Sequence, residues 1–74
     1  MSMSKKIRQL LIEKDMNVAK LAQLLKTTPQ NLSNKLVRDN FSEQDLQDIA
    51  RVLNCKFDAK FLVIDENGNT IKEI

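Results

Sequence analysis

The sequence has no histidine, tryptophan or tyrosine, and it has one cysteine, one glycine and one proline. Without histidine, nucleophile–histidine catalysis is excluded, and the lack of histidine together with the single cysteine excludes the common structural zinc sites. The lone Cys55 cannot form an internal disulfide and fits a reducing cytosol. One glycine is too few for a glycine-rich phosphate-binding loop, and no pair of acids clusters. We therefore expect no enzyme activity, no metal and no cofactor.

Long apolar runs are also missing from the chain. No segment approaches the roughly 20 apolar residues of a membrane helix. The first six residues, M-S-M-S-K-K, lack the apolar segment of a signal peptide. We expect a cytoplasmic protein with no membrane contact and a single domain over residues 1–74. So small a chain buries only roughly 60% of its unfolded surface, which favours oligomerisation as a source of stability.

Charge is distributed unevenly along the chain. Residues 1–40 contain eight Lys and Arg against three Asp and Glu, whereas residues 41–74 contain four against seven. A uniform mixture would indicate only solvated surface charge. A basic half beside an acidic half indicates that a polyanion binds one side of the protein.

Apolar spacing of 3.6 residues predicts four helices within residues 4–54. The first is expected over residues 4–15 and the second after Asn17, a helix-capping residue. The third is expected from Thr28-Pro29 to Arg38, because a hydroxyl cap followed by proline is typical of a helix start. Pro29, Leu32 and Leu36 are expected to face inward.

The start of the fourth helix carries the clearest signal in the chain. Ser42 is expected to cap it in a capping box with Asp45, and Phe41 and Leu46 occupy the positions of a hydrophobic staple. Asn54 tolerates the left-handed conformation that ends helices, so we expect the helix to stop there.

The period changes from 3.6 to 2 at Cys55, which predicts a β-hairpin over residues 55–74. Asn67-Gly68 is a strong hairpin signal. A type I turn with left-handed Gly68 in a bulge is favoured and pairs Val63 with Ile71, whereas a two-residue turn pairs Ile64 with Ile71. Under the favoured register one face covers the core; it consists of Phe57, Ala59, Phe61, Val63 and Ile71.

The opposite face of the hairpin is apolar in its last part, at Leu62, Ile64 and Ile74. A two-stranded hairpin is marginal in water, and an open strand edge invites pairing. We therefore expect a homodimer formed through the hairpin, although the outer face has the alternative of folding over the first or fourth helix. The candidate interface residues are Leu62, Ile64, Ile71 and Ile74.

The third helix is the candidate DNA-reading element. With Leu32 and Leu36 inward, Gln30, Asn34 and Arg38 form an outward ridge at i, i+4 and i+8. Amides pair with adenine and arginine pairs with guanine in the major groove, whereas a solvated surface is the ordinary fate of such residues. Lysines beside the ridge and the helix starts near Asn17 and Thr28 are expected to meet phosphates. The full candidate set is Asn17, Lys20, Lys26, Thr28, Pro29, Gln30, Asn31, Ser33, Asn34, Lys35 and Arg38.

Residues 17–36 resemble the helix-turn-helix of the Cro/C-repressor (XRE-type) family. Leu21, Ala22, Leu25 and Leu32 match its buried pattern, and the likeness covers about residues 4–54. The resemblance implies a mainly α, four-helix repressor-like domain with the third helix in the major groove. It also implies base contacts around Pro29, Gln30 and Asn34, with phosphates near the start of the second helix.

Two positions depart from the family pattern. Lys26 stands where glycine is frequent, so a left-handed turn there costs about 1 kcal/mol. Val18 stands where many members have glutamine, which removes one expected clamp. Residues 60–71 resemble the dimerising C-terminal hairpin of a phage Cro repressor.

These features predict a sequence-specific transcriptional repressor that binds double-stranded DNA as a homodimer. The alternative is a protein-interaction module, such as an antitoxin-like partner or phage regulator, in which the helix-turn-helix is a scaffold. The apolar outer face of the hairpin would then bind a different protein.

Overall fold

Four helices precede an antiparallel sheet in the computed structural model, which describes residues 2–58 and 60–74. The elements are α1 (Met3–Glu13), α2 (Val18–Leu24), α3 (Pro29–Arg38), α4 (Glu43–Val52), β1 (Cys55–Phe57), β2 (Phe61–Ile64) and β3 (Thr70–Glu73). The expected mainly helical architecture is confirmed. None of the helices in the described residues is long and apolar enough to cross a bilayer.

A polar side chain caps the start of each helix by accepting a backbone N–H three residues on. Asn17 accepts from Lys20 at 2.8 Å. At α4 the capping box is complete, because Ser42 Oγ accepts the Asp45 N–H at 3.1 Å and Asp45 accepts the Ser42 N–H at 3.0 Å. Helix α1 begins at residue 3 because Ser2 caps it, and it ends at residue 13 rather than 15.

The helices end on left-handed residues that are not glycine. Asp15, Lys26, Asp39 and Asn54 have φ between +52° and +61°. The left-handed conformation places Cβ close to the following carbonyl oxygen in all L-residues, though Asp and Asn tolerate it best. Lys26 is therefore the most strained of the four.

The core lies between the four helices and one face of the sheet. Its fully buried large side chains come from α1, α2, α4 and β2: Phe61, Ile7, Leu10, Leu21 and Ile49. Leu32 and Leu36 of α3 are also buried, as predicted, but Pro29 is exposed and the prediction that it faces inward is wrong.

The predicted C-terminal hairpin is present as β2 and β3, but the sheet has three strands in the order β1-β2-β3, because residues 55–64 form two strands rather than the one expected. Phe57 pairs with Phe61, and their rings lie 5.1 Å apart at 59°. The alternating apolar pattern continues between β1 and β2, and the sequence there contains no glycine or proline. Neither signal therefore predicted that one strand ends and another begins. Ala59, expected on the core face, lies outside the described residues.

The second turn of the sheet matches the favoured prediction. The Gly68 N–H donates to the Asp65 carbonyl at 3.0 Å, and Gly68 has φ +84°. The pairing beyond the turn does not match, because Ile64 pairs with Thr70 but Val63 pairs with Lys72. The extra residue is Ile71, which forms a bulge; both predicted pairings of Ile71 are therefore wrong.

The bulge reverses the faces expected for Ile71 of β3 and for Ile74, which follows the strand. A one-residue shift moves every later side chain to the opposite face. Ile71, expected over the core, is 66% exposed. Ile74, expected beside Leu62 and Ile64, exchanges two hydrogen bonds with Phe61 and packs half-buried against the core.

The two edges of the sheet differ in their environment. The β1 edge is covered by α4, whose Gln47 donates to the Phe57 carbonyl at 3.4 Å. Strand β3 pairs only with β2 among the described residues, and its four residues are exposed. The open edge of the sheet is therefore the edge of β3.

Candidate nucleic-acid interface

Helices α2 and α3 are joined by a tight turn centred on Lys26. The Thr27 N–H donates to the Ala22 carbonyl at 2.9 Å and the Lys26 N–H donates to the Gln23 carbonyl at 3.1 Å. These two bonds make a Schellman motif, which requires a left-handed residue at Lys26. The expectation of a left-handed turn at this position is confirmed by its φ of +59°.

Helix α2 packs on α3, and its Ala22 is completely buried. A larger side chain at this position would have to displace the neighbouring core residues. The packing leaves the opposite face of α3 in solvent, because only Leu32 and Leu36 of this helix are buried.

The exposed face of α3 carries the predicted ridge. Gln30, Asn34 and Arg38 are all exposed, and the Gln30 amide nitrogen lies 3.4 Å from the Asn34 amide oxygen. Val37 is 81% exposed on the same helix. The ridge combines two amides, one guanidinium and one apolar side chain, which are the groups that read base edges in a major groove.

The helix starts have fewer free backbone donors than their sequence suggests. At α3, Pro29 has no N–H and the Asn31 N–H already binds Thr28 Oγ1 at 3.1 Å. The Gln30 N–H is therefore the donor left there for a phosphate. At α2, Asn17 takes the Lys20 N–H, which leaves the amides of the first two helical residues.

Two of the three predicted phosphate lysines, Lys20 and Lys26, are exposed in or beside the helix pair. The third, Lys35, forms an ion pair of 2.8 Å with Asp45 of α4. Burial raises the pKa of Asp45, but hydrogen bonds from Lys35 and the Ser42 N–H more than offset this and leave it below its ordinary value. Lys35 therefore already has a partner before any DNA arrives.

The remaining candidates lie on the flanks of the ridge. Asn31 is exposed, and its amide nitrogen lies 3.4 Å from the Thr27 hydroxyl. Ser33 is half-buried at the side of α3, and Thr28 and Pro29 are exposed at its start. All eleven predicted residues thus fall on one helix pair, with Ser33 the least accessible.

Sequence reasoning missed a contact at the far end of α3. Ser4 of α1 is buried, and its backbone N–H donates to Asp39 Oδ1 at 2.8 Å. The two residues are 35 positions apart, and no local pattern links them. A serine among the apolar positions of α1 was the one available signal.

Comparison with known protein families gives a match, which covers most of α1, the other three helices and β1. Residues 6–58 match the family model described as the Cro/C1-type HTH DNA-binding domain. Neither the curated proteins nor the solved structures contain a significant match.

Proposed function

Because the chain belongs to the Cro/C1-type HTH DNA-binding domain family, we propose that it is a transcriptional repressor that reads a specific DNA site. It acts in the cytoplasm by occupying promoter DNA, through binding rather than catalysis. The observation that carries the proposal is the exposed ridge of Gln30, Asn34 and Arg38 on α3.

In this proposal α3 enters the major groove. Gln30 and Asn34 each form a bidentate pair with adenine, and Arg38 forms one with guanine. Val37 contacts a thymine methyl group. The 3.4 Å contact between the Gln30 and Asn34 amides orients both toward the same groove and is exchanged for base contacts on binding.

Phosphate contacts surround the ridge. Lys20, Lys26 and the start of α2 at Asn17 bind one strand, and Thr28, Pro29, Asn31 and Ser33 approach the backbone at the start of α3. Lys35 contributes less, because a phosphate would have to compete with Asp45. The basic half of the chain supplies these contacts, in agreement with its charge excess.

Selection of bound DNA from a random pool tests the readout, and the chain offers a matched control. Gln30→Ala and Asn34→Ala are expected to cost about 1–3 kcal/mol on the selected site and little on random DNA. Gln44→Ala, which removes an exposed amide from α4, is the control and should change neither affinity. Equal losses on both kinds of DNA would show that these side chains do not read bases.

We further propose that the chain is a homodimer formed by the C-terminal sheet. Strand β3 presents an open edge, whereas the β1 edge is covered by α4. In this proposal two copies pair through β3, and their α3 helices bind half-sites about 34 Å apart in a palindromic operator. Leu62 and Ile64 are half-buried on the outer face, and Ile71 is exposed beside the edge.

A proline in β3 tests this edge without disturbing the ladder to β2. Phe61 and Ile74 exchange both hydrogen bonds, so the backbone groups of the neighbouring Glu73 point away from β2. Glu73→Pro should convert the dimer to a monomer in light scattering, because it removes an outward donor. Glu73→Ala, which equally removes the Lys60–Glu73 ion pair, should remain dimeric.

A Glu73→Pro variant that is still a dimer would show that the edge of β3 is not the interface. The outer sheet face would then be the candidate interface. Leu62→Lys combined with Ile64→Lys then separates the copies if that face is the interface. A wild-type chain that is monomeric at all concentrations would contradict both versions.

The protein-interaction module is the second candidate function. It is favoured by the half-exposed apolar pair Leu62 and Ile64 on the outer sheet face. It predicts a monomer whose binding to DNA shows no base preference. The same DNA selection and mass measurement therefore separate the two functions.

A further inference from the structure

The start of α1 and the end of α3 cap each other. Asp39, the residue that follows α3, accepts the Ser4 N–H on Oδ1 at 2.8 Å. In return, the Ser4 hydroxyl donates to the Leu36 carbonyl of α3 at 2.6 Å and lies 3.0 Å from the same carboxylate oxygen. Asp39 thus satisfies the Ser4 N–H, which α1 leaves unpaired, and the Ser4 hydroxyl adds a short bond to the Leu36 carbonyl, which otherwise accepts only the Asp39 N–H at 3.4 Å.

Ser4 and Asp39 are each in an arrangement that costs free energy unless other contacts offset it: a buried hydroxyl and a left-handed backbone. Ser4 is 6% exposed and is the one buried polar side chain among the described residues. Burying a hydroxyl is unfavourable unless it is hydrogen-bonded, and here the bond is short. Asp39 has φ +53° and ψ +44°, a left-handed conformation that turns its carboxylate back toward α1.

The hydrogen bonds of Ser4 with Asp39 and with Leu36 form a tie between α1 and α3. This tie lies directly beside Arg38, the last residue of α3. The other end of α3 is held differently, by the Thr28 cap and by packing on α2. The ridge therefore has two supports: Gln30 depends on the turn between the helices, and Arg38 depends on the tie to α1.

We propose that Ser4 and Asp39 are positioning residues that fix the last turn of α3 and thereby select the base pair that Arg38 reads. This inference rests on the proposed DNA-reading function. It assigns no DNA contact to Ser4 or Asp39 themselves. Their loss should relax recognition at one end of the half-site only.

The test uses the full chain and the DNA site obtained by selection. Arg38→Ala and Gln30→Ala first identify the base pair that each side chain reads. A bidentate contact discriminates against the wrong base by roughly 10-fold. Asp39→Ala should remove most of this discrimination at the Arg38 base pair and leave that at the Gln30 base pair within about twofold.

Asp39→Asn should restore the discrimination, because asparagine tolerates the left-handed conformation and its amide oxygen accepts the Ser4 N–H. Glu43→Ala, which removes one nearby exposed negative charge from α4, should change no base preference. Ser4→Ala is the second variant, so the test stands if Asp39→Ala is poorly folded. It deletes the bond to Leu36 and should also relax only the Arg38 base pair.

Three results would overturn the inference. An equal loss at both base pairs would indicate general destabilisation, and unchanged preferences in Asp39→Ala and Ser4→Ala would show that the tie does not position Arg38. A wild-type chain with no base preference would instead remove the proposed function itself. The first two outcomes leave the proposed function intact, so the failures are distinguishable.

Discussion

Replacing Lys26 with glycine should stabilise the protein. Lys26 holds φ +59° in the turn between α2 and α3. A Cβ in this conformation costs about 1–2 kcal/mol, which glycine avoids. Glycine also makes the unfolded chain more flexible, which stabilises the unfolded state by about 0.4–1 kcal/mol and offsets part of the gain. The midpoints of the two ranges give an expected net gain of about 0.8 kcal/mol, equivalent to a rise of roughly 3–6 °C in Tm for a chain of this size.

Urea unfolding and thermal scans of Lys26→Gly against Lys26→Ala isolate the cause. Both variants remove the charge, but only glycine removes the Cβ, so Lys26→Ala should not gain stability. If alanine stabilises as much as glycine, the effect belongs to charge. If glycine gives no gain, the backbone strain inferred at Lys26 is not there.

The same pair of variants addresses DNA binding. If Lys26 contacts a phosphate, both variants should reduce the slope of log K against log salt by about 0.9. Lys26→Gly would then be more stable and yet bind DNA more weakly. An unchanged slope would remove Lys26 from the phosphate contacts without affecting the argument about strain.

Two further outcomes follow from the backbone and the carboxylates. Gly68→Ala should lower the free energy of unfolding by about 1 kcal/mol, because the strain comes from φ +84° alone and nothing lies within 4 Å of the added Cβ; no loss in urea unfolding would contradict a left-handed turn. Hydrogen bonds from the Ser4 N–H lower the pKa of Asp39 in the folded state, so the unfolded state binds more protons and stability falls as pH drops below 3.8. In urea unfolding, Asp39→Asn should lose less stability than the wild type as the pH falls from about 5 to about 2, a range that brackets the ordinary pKa of an aspartate.

Local signals predicted the helices well because helix starts are decided over three or four residues. Asn17, Thr28 and Ser42 each cap a helix through an amide three positions on. The face of α3 followed from its 3.6-residue period, so the exposed ridge was predictable too. The left-handed conformation of Lys26 was implied by the family resemblance, in which glycine is frequent at this position.

The sheet resisted prediction because its turn and bulge are set by pairing partners. Nothing local marks the break between β1 and β2, and the contact between the Phe57 and Phe61 rings is visible only in the folded chain. The bulge at Ile71 allows Ile74 to reach the core opposite Phe61. A period of 2 cannot reveal one extra residue, and that residue exchanged the faces of two isoleucines.

The sequence by itself determined four capped helices, a polar outward face on α3 and a left-handed Gly68, because each depends on neighbours within one turn. Only the tertiary structure decided which side chains were already occupied. Lys35 meets Asp45 ten residues on, and Ser4 meets Asp39 across 35. Such contacts depend on how helices pack, and helix packing is decided by the whole core rather than by any one segment.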